Sequence, residues 1–296
     1  MRQTRMSSQQ RGIERALAHL QQRVQARAAL PGLAELAAVA HQSPFHFHRV
    51  YRAMTGETVG RTVTRLRLLH ALQLLAGTGS ITEIALAVGY ETPQALARSF
   101  RNALDASPSQ LRADPAALAA RTQALAQPPR QAVDAAPAPL RIAVRTLAPF
   151  EVVVLRRRGA FDALDAGFGR LFAWAQRAGV AERLQALVGI PLSDHRDLPA
   201  RAHVFECAMG FDAAVSPPAP FALRTLGGGD YALLRQVGSY AQLEDALDRV
   251  LADWLPGSGH ALRDAPLHYL YLDDPETVAE AELRADICVP VQRDAG

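Results

Sequence analysis

At 296 residues, with 49% hydrophobic and 21% charged side chains, the chain is long enough for two domains that each bury a core, and collagen-like, coiled-coil and low-complexity classes are excluded. No apolar run approaches the ~18 residues of a membrane span, and the arginine-dotted start (Met1, Arg2, Arg5, Arg11) leads into no signal-peptide core. We therefore expect a cytoplasmic protein with no membrane partner.

The formal net charge of +3 conceals a division. Residues 1–130 hold 16 Arg against 7 Asp and Glu, a net +9, whereas residues 131–296 hold 16 Arg against 22 acids, a net −6. There is no lysine, so every fixed positive charge is a guanidinium able to fork onto phosphate or a guanine edge. The basic half is a candidate nucleic-acid surface. Cys207 and Cys288 have no CxxC partner and read as two buried thiols.

The apolar spacing predicts an all-α domain over residues 8–113. Leu33 to Val39 form a short helix, Ala40-His41-Gln42 a tight connection, and Ser43 caps a second helix that has Pro44 at its first position. That is the grammar of a helix-turn-helix. It recurs 49 residues later, where Ile81, Ile84 and Val88 line the first helix, Gly89 marks the turn and Thr92 is the cap. Between the units, Val59 to Ala76 form a helix of about 27 Å, long enough to hold two readers about one DNA turn apart. In the first unit Phe47, Val50 and Tyr51 point inward, which leaves Phe45, His46, His48, Arg49 and Arg52 outward near the helix start. His46 and His48 diverge around the helix axis and make no metal site.

The segments Ser43-Pro44-Phe45-His46-Phe47-His48-Arg49, Thr55-Gly56-Glu57, Glu83-Ile84-Ala85, Val88-Gly89-Tyr90 and Ser107-Pro108-Ser109 resemble the AraC-type transcriptional regulators over residues 9–112. The resemblance implies base-reading positions at Phe45, His48 and Arg49 in the first unit and at Pro93, Gln94, Ala97 and Arg98 in the second. Pro93 and Ala97 depart from the usual polar pattern, so the second helix is expected to read less. It positions on phosphate through Arg98 and Arg101, with Gln94 as the remaining candidate for adenine, and Arg52 joins the first unit's contacts.

From Ala113 to Pro139, 16 of 27 residues are Ala or Pro, which reads as a linker over 114–139 with a short helix at Leu118 to Ala126 and an extended Pro-rich end. Residues 140–293 then alternate short β-rich runs, such as Phe150 to Leu155 and Leu267 to Leu272, with amphipathic helices. They form an α+β domain of two strand-helix-strand-strand units with an antiparallel sheet: Leu155-Arg156-x-x-Gly159-x-Phe161-x-x-Leu164 returns 79 residues later as Leu234-Arg235-x-x-Gly238-x-Tyr240-x-x-Leu243. The run Gly227-Gly228-Gly229 reads as a hairpin turn, and Ser193-Asp194-His195, adjacent in sequence, makes no triad.

Arg158-Gly159-Ala160-Phe161, Leu171-Phe172-Ala173-Trp174, Val188-Gly189-Ile190-Pro191, Val237-Gly238-Ser239-Tyr240, Trp254-Leu255-Pro256 and Leu272-Asp273-Asp274-Pro275 resemble the GyrI-like effector-binding domain. The resemblance implies a groove between the two repeats that takes small cationic or aromatic molecules against a strand glutamate. That position falls here on Tyr269. Strand alternation places Leu267, Tyr269 and Tyr271 on one face. With two phenols in place of the carboxylate, a neutral or weakly polar, aromatic or hydrophobic effector is expected. Glu206 is a candidate for the lost charge, and Trp174 and Trp254 for the groove walls.

Together these readings give a multidomain regulator that is not an enzyme. Its partners are double-stranded promoter DNA, a small-molecule effector and RNA polymerase, and it has no cofactor or metal. Two alternatives stay open: a GyrI-like hydrolase carrying a DNA-binding domain, and a ligand-sequestering module.

Overall fold

The computed structural model describes residues 8–26, 31–127, 139–159, 164–193 and 200–294, the side chains of Gln25, Phe45, Leu164, Asp165 and Ala200 excepted. The Pro-rich end of the expected linker, Ala160 and Phe161, and the Asp194-His195 pair lie outside these residues. The chain divides into two compact units, a helical one (Gln10–Ala135) and a sheet-based one (Ala136–Gly296, with Met1–Gln9).

The helical unit runs α1 (Ser8–Gln25), α2 (Leu33–Ala40), α3 (Pro44–Thr55), α4 (Val59–Leu75), α5 (Ile81–Ala87), α6 (Pro93–Leu104), α7 (Pro108–Ala113) and α8 (Pro115–Ala126). The first helix-turn-helix, α2 and α3, buries Leu36, Ala37, Phe47, Val50 and Tyr51. The second, α5 and α6, shares a core with α4, α7 and α8 built on Leu68, Leu72, Leu75, Ile84, Leu96 and Phe100. The two turns use different residues for one purpose, since His41 takes the left-handed conformation at φ 56° that Gly89 takes at φ 83°.

The caps differ as well. Thr92 accepts from the Ala95 N–H at 3.1 Å, as expected of an N-cap, and Ser80 forms a reciprocal box with Glu83. Ser43 stands at the N-cap of α3 with extended backbone, but its side chain makes no capping bond. There Pro44 presets the first helical φ and the hydroxyl is not used. The alanine-rich segment, expected to belong to the linker, forms α8, whose Leu118 is 9% exposed and joins the core of the helical unit.

The sheet-based unit comprises β1 (Ile142–Leu147), β2 (Phe150–Arg158), α9 (Leu164–Arg177), β3 (Leu184–Pro191), β4 (Val204–Phe211), β5 (Ala222–Leu226), β6 (Gly229–Val237), α10 (Leu243–Arg249), β7 (His260–Leu262), β8 (His268–Tyr271) and β9 (Arg284–Arg293). A π-helical turn, Val250–Trp254, extends α10. The ladders are antiparallel throughout, in the order β1-β6-β9-β8-β3-β4-β2-β5, with β7 on β9.

That order corrects the hairpin expected at Gly227-Gly228-Gly229. Strands β5 and β6 are consecutive in the chain but pair with β2 and with β1 and β9, so the three glycines bridge opposite ends of a curled sheet. All three have positive φ, and a Cβ on Gly227 would lie 2.3 Å from the Ala148 carbonyl oxygen, which leaves room for no other residue. Alternation signals strands but not which strand each one meets, and here the sheet's curl decides.

The curl gives the sheet two different faces. The outer face carries α9 over Val153, Leu155, Phe205, Cys207 and Met209. On the inner face, Val152, Val154, Val188, Ile190, Ala208 and Leu226 make a second apolar layer.

Candidate functional site

In the helical unit, exposure separates the two expected reading helices. Gln94, Arg98 and Arg101 of α6 all stand at the surface. On α3, by contrast, Arg49 is 3% exposed and His46 5%, while His48 and Arg52 are half-buried. This corrects the outward placement of His46 and Arg49, because a helical wheel registers spacing along one helix and not burial. The side chain of Phe45 lies outside the described residues. Glu57, which follows α3, is held by Arg65 at 2.7 Å.

In the sheet-based unit, register fixes which side chains meet. Tyr269 stands opposite Gly189 and Gly189 opposite Cys207, while Tyr271 stands opposite Leu187. Directly paired residues share a face, so both tyrosines lie on the outer, helix-bearing face, as strand alternation predicts. Glu206 pairs with Ile190 and Arg156 and lies on the inner face, away from both phenols. It is 2% exposed and accepts from Arg156 Nε at 3.0 Å and from Arg224 Nη2 at 2.9 Å. The same contact recurs in the second repeat, where Arg235 stands opposite Asp286 and donates Nη2 to its Oδ2 at 3.0 Å. Glu206 is therefore one of a duplicated set of cross-strand ion pairs, on the face opposite the two phenols.

A different carboxylate meets Tyr269. The Tyr269 hydroxyl donates to Glu244 Oε1 at 2.9 Å, and Glu244, in the first turn of α10, is 3% exposed. Sequence reasoning searched the strands for an acid and missed this one. Its signal was available in the second repeat, because Glu244 directly follows the Tyr240-x-x-Leu243 motif, at the start of the duplicated helix. Tyr269, expected to stand where a carboxylate is missing, thus has a carboxylate beside it.

Tyr271, two residues along the same strand face from Tyr269, meets further rings. Tyr271 lies 4.8 Å from Tyr240 and 5.9 Å, edge-on, from Phe168 of α9 (centroid distances). Tyr240 is anchored by its hydroxyl at the carbonyls of Asp273, 2.8 Å, and Arg284, 3.1 Å. Tyr271 owes its place to Gly189, where a Cβ would fall 2.6 Å from the phenol oxygen and 2.7 Å from Phe205 Cζ. Burial raises the pKa of Tyr271 and of Tyr240 above the usual phenol range, so both stay neutral donors. Gly167 of α9 likewise lets the helix approach β4, since its Cβ would lie 2.5 Å from Cys207 Sγ.

The tryptophans pack on other rings. Trp174 is 7% exposed and packs on Phe211 and Phe221 in the core under α9. Trp254 stacks on the His260 ring at 5.9 Å. The structure thus joins Tyr269 and Tyr271 to Glu244, Tyr240 and Phe168, and it sets Glu206 on the other face. No cluster of His, Cys, Asp or Glu among the described residues could hold a metal ion, and no described helix is long and apolar enough to cross a membrane.

Residues 141–292 match the family described as GyrI-like small molecule binding domain, and residues 36–114 match a helix-turn-helix domain. The chain is 27% identical over 146 residues to "Probable transcriptional regulator YgiV" of Escherichia coli K12, across 47% of this chain and 89% of that protein. It is 34% identical over 71 residues to "Regulatory protein SoxS" of the same organism, across 24% of this chain and 66% of SoxS. A solved structure of a hydrolase from Listeria innocua is similar at TM-score 0.42 and 14% identity, over 52% of this chain and 94% of that one.

Proposed function

Because the chain belongs to the GyrI-like small-molecule-binding family and carries an AraC-type helix-turn-helix unit ahead of that module, we propose that it is a ligand-responsive regulator of transcription. In this reading α6 meets promoter DNA through its exposed Gln94, Arg98 and Arg101 and α3 through the half-buried His48 and Arg52, and the groove of the sheet-based unit takes a small aromatic cation. Binding there changes how the basic unit meets DNA and, through it, RNA polymerase.

The observation that carries the effector class is the buried Tyr269–Glu244 hydrogen bond beside the rings of Tyr240, Tyr271 and Phe168. A ring-bearing cation would meet the negative faces of the aromatics, worth about 0.5–2 kcal/mol each, together with a carboxylate in a poorly hydrated setting. On the DNA side, Arg98 and Arg101 on the exposed face of α6 suit phosphate or guanine, and Gln94 suits adenine.

The test of the effector class uses benzyltrimethylammonium and its neutral isostere neopentylbenzene, titrated calorimetrically into the full chain. The cation is expected to bind at least ten times more tightly, and Glu244→Gln is expected to abolish that preference. Equal affinity for the two compounds would remove the charged reading of the groove. For the DNA reading, Arg98→Ala should cost about 1–3 kcal/mol on a duplex selected from a random pool and relax one base preference. An equal loss on random duplex would make Arg98 a phosphate contact.

A further inference from the structure

In the helical unit one arginine joins three elements. Glu57, in the turn between α3 and α4, is 6% exposed, and Arg65 on α4 holds its Oε1 with Nη2 at 2.7 Å and Nε at 3.0 Å. Thr62 donates to the same carboxylate oxygen at 2.8 Å, and Tyr51 of α3 donates to the Thr62 hydroxyl at 2.7 Å, both residues being fully buried. The last arm of the guanidinium, Nη1, donates to the Leu125 carbonyl at 3.1 Å. Leu125 lies in the final turn of α8, where carbonyls have no intrahelical partner. A single side chain thus ties the alanine-rich helix α8 to the C-terminal end of α3.

We propose that Arg65 is a positioning residue for α3. Its fork sets the seat of α3 on α4 through Glu57, Thr62 and Tyr51, and all of its arms are engaged only while α8 is docked. On this account α8 belongs to the DNA-reading machinery and is not a tether. Lysine could not replace Arg65, because one ammonium cannot span both the carboxylate and the carbonyl at these positions. The proposal rests on the reading of α3 as a DNA-contacting helix.

The test uses the full chain with two variants. Arg65→Lys keeps the charge and loses the fork. Ala124→Pro, at an exposed position of α8, breaks the end of that helix while leaving Arg65 and Glu57 intact. In both, amide hydrogen exchange over residues 44–55 should rise at least fivefold while residues 93–104 of α6 stay unchanged. A merely structural role would raise exchange in both helices. On a selected duplex, base preference should vanish in the half-site met by α3 and persist in the other. Unchanged exchange over 44–55 in both variants overturns the positioning role. A wild-type chain with no base preference at all, whatever the exchange result, overturns the DNA reading and the positioning role with it.

Discussion

Two glutamates of the sheet-based unit are buried to nearly the same degree, Glu206 at 2% and Glu244 at 3% exposure, on elements that the sheet sets on opposite faces. The inner one meets guanidinium from two strands, Arg156 and Arg224, and its geometry repeats as Arg235 and Asp286 in the second half of the duplication. The outer one meets a phenol, Tyr269, beside further aromatic rings. Equal burial therefore gives unequal chemistry. Glu206 accepts from arginines and ties strands together, whereas Glu244 accepts a tyrosine hydroxyl and, in the reading proposed above, meets the ligand's charge.

The largest consequence falls on the inner face. Glu206→Ala leaves the guanidinium groups of Arg156 and Arg224 crowded without their acceptor, and removing one partner of a buried pair costs about 3–5 kcal/mol. The lower end applies, because Arg156 still reaches solvent. Urea unfolding followed by tryptophan fluorescence reads this unit, since both tryptophans, Trp174 and Trp254, lie in it. Cation affinity should remain as in the wild type. A large loss of affinity at unchanged stability would reverse the roles of the two glutamates.

A second effect of the inner face appears with pH. His268 lies there, edge-on to Tyr231 and Phe150, and burial pushes its pKa down to about 4 from an ordinary 6.5. The folded chain keeps the imidazole neutral while the unfolded chain protonates it below pH 6.5. Stability is accordingly full above about pH 6.5 and is lost as pH falls toward 4. The difference of about 2.5 units corresponds to about 3 kcal/mol. Comparing wild type with His268→Gln at pH 7.5 and 4.5 isolates this share, because the carboxylates titrate in both. Parallel losses in the two proteins would show that His268 is not the titrating group.

How far these roles were legible in the sequence follows from the range of the forces involved. Both duplications were visible, because repetition of Ser43-Pro44 as Thr92-Pro93 and of Leu155-Arg156 as Leu234-Arg235 is written along the chain. Alternation also gave the shared face of Tyr269 and Tyr271, since it is a local property of one strand. What stayed hidden depends on partners distant in sequence. Glu206 and Arg224 lie on strands that meet only through β2, and Glu244 reaches Tyr269 across 25 residues from a helix. The burial of Arg49 and the docking of α8 belong to the same class, as neither a helical wheel nor an alanine count registers what packs against a helix.

On the outer face the expected effects are smaller and distinguish shape from charge. Gly189→Ala puts a methyl group 2.6 Å from the Tyr271 hydroxyl and 2.7 Å from Phe205 Cζ. Overpacking of this kind costs about 1–3 kcal/mol and displaces the Tyr271 ring, so aromatic ligands should weaken whether charged or neutral. Calorimetry with the cation and its isostere checks this. Loss for the cation alone would mean that the strand glycine acts through Glu244.

The smallest change gives the sharpest sign. Tyr269→Phe removes one hydrogen bond to Glu244, which costs about 1 kcal/mol of stability, and the ring itself still fills its place. The phenol and a bound cation draw on the same carboxylate, so without the phenol more of the negative charge faces the ligand. Affinity for benzyltrimethylammonium should then rise, by up to about fivefold for 1 kcal/mol, whereas Glu244→Gln lowers it. Opposite signs at two hydrogen-bonded neighbours would place the ligand's charge at the carboxylate. A fall in both variants would instead make the Tyr269 hydroxyl the group the ligand contacts, with Glu244 reduced to orienting it.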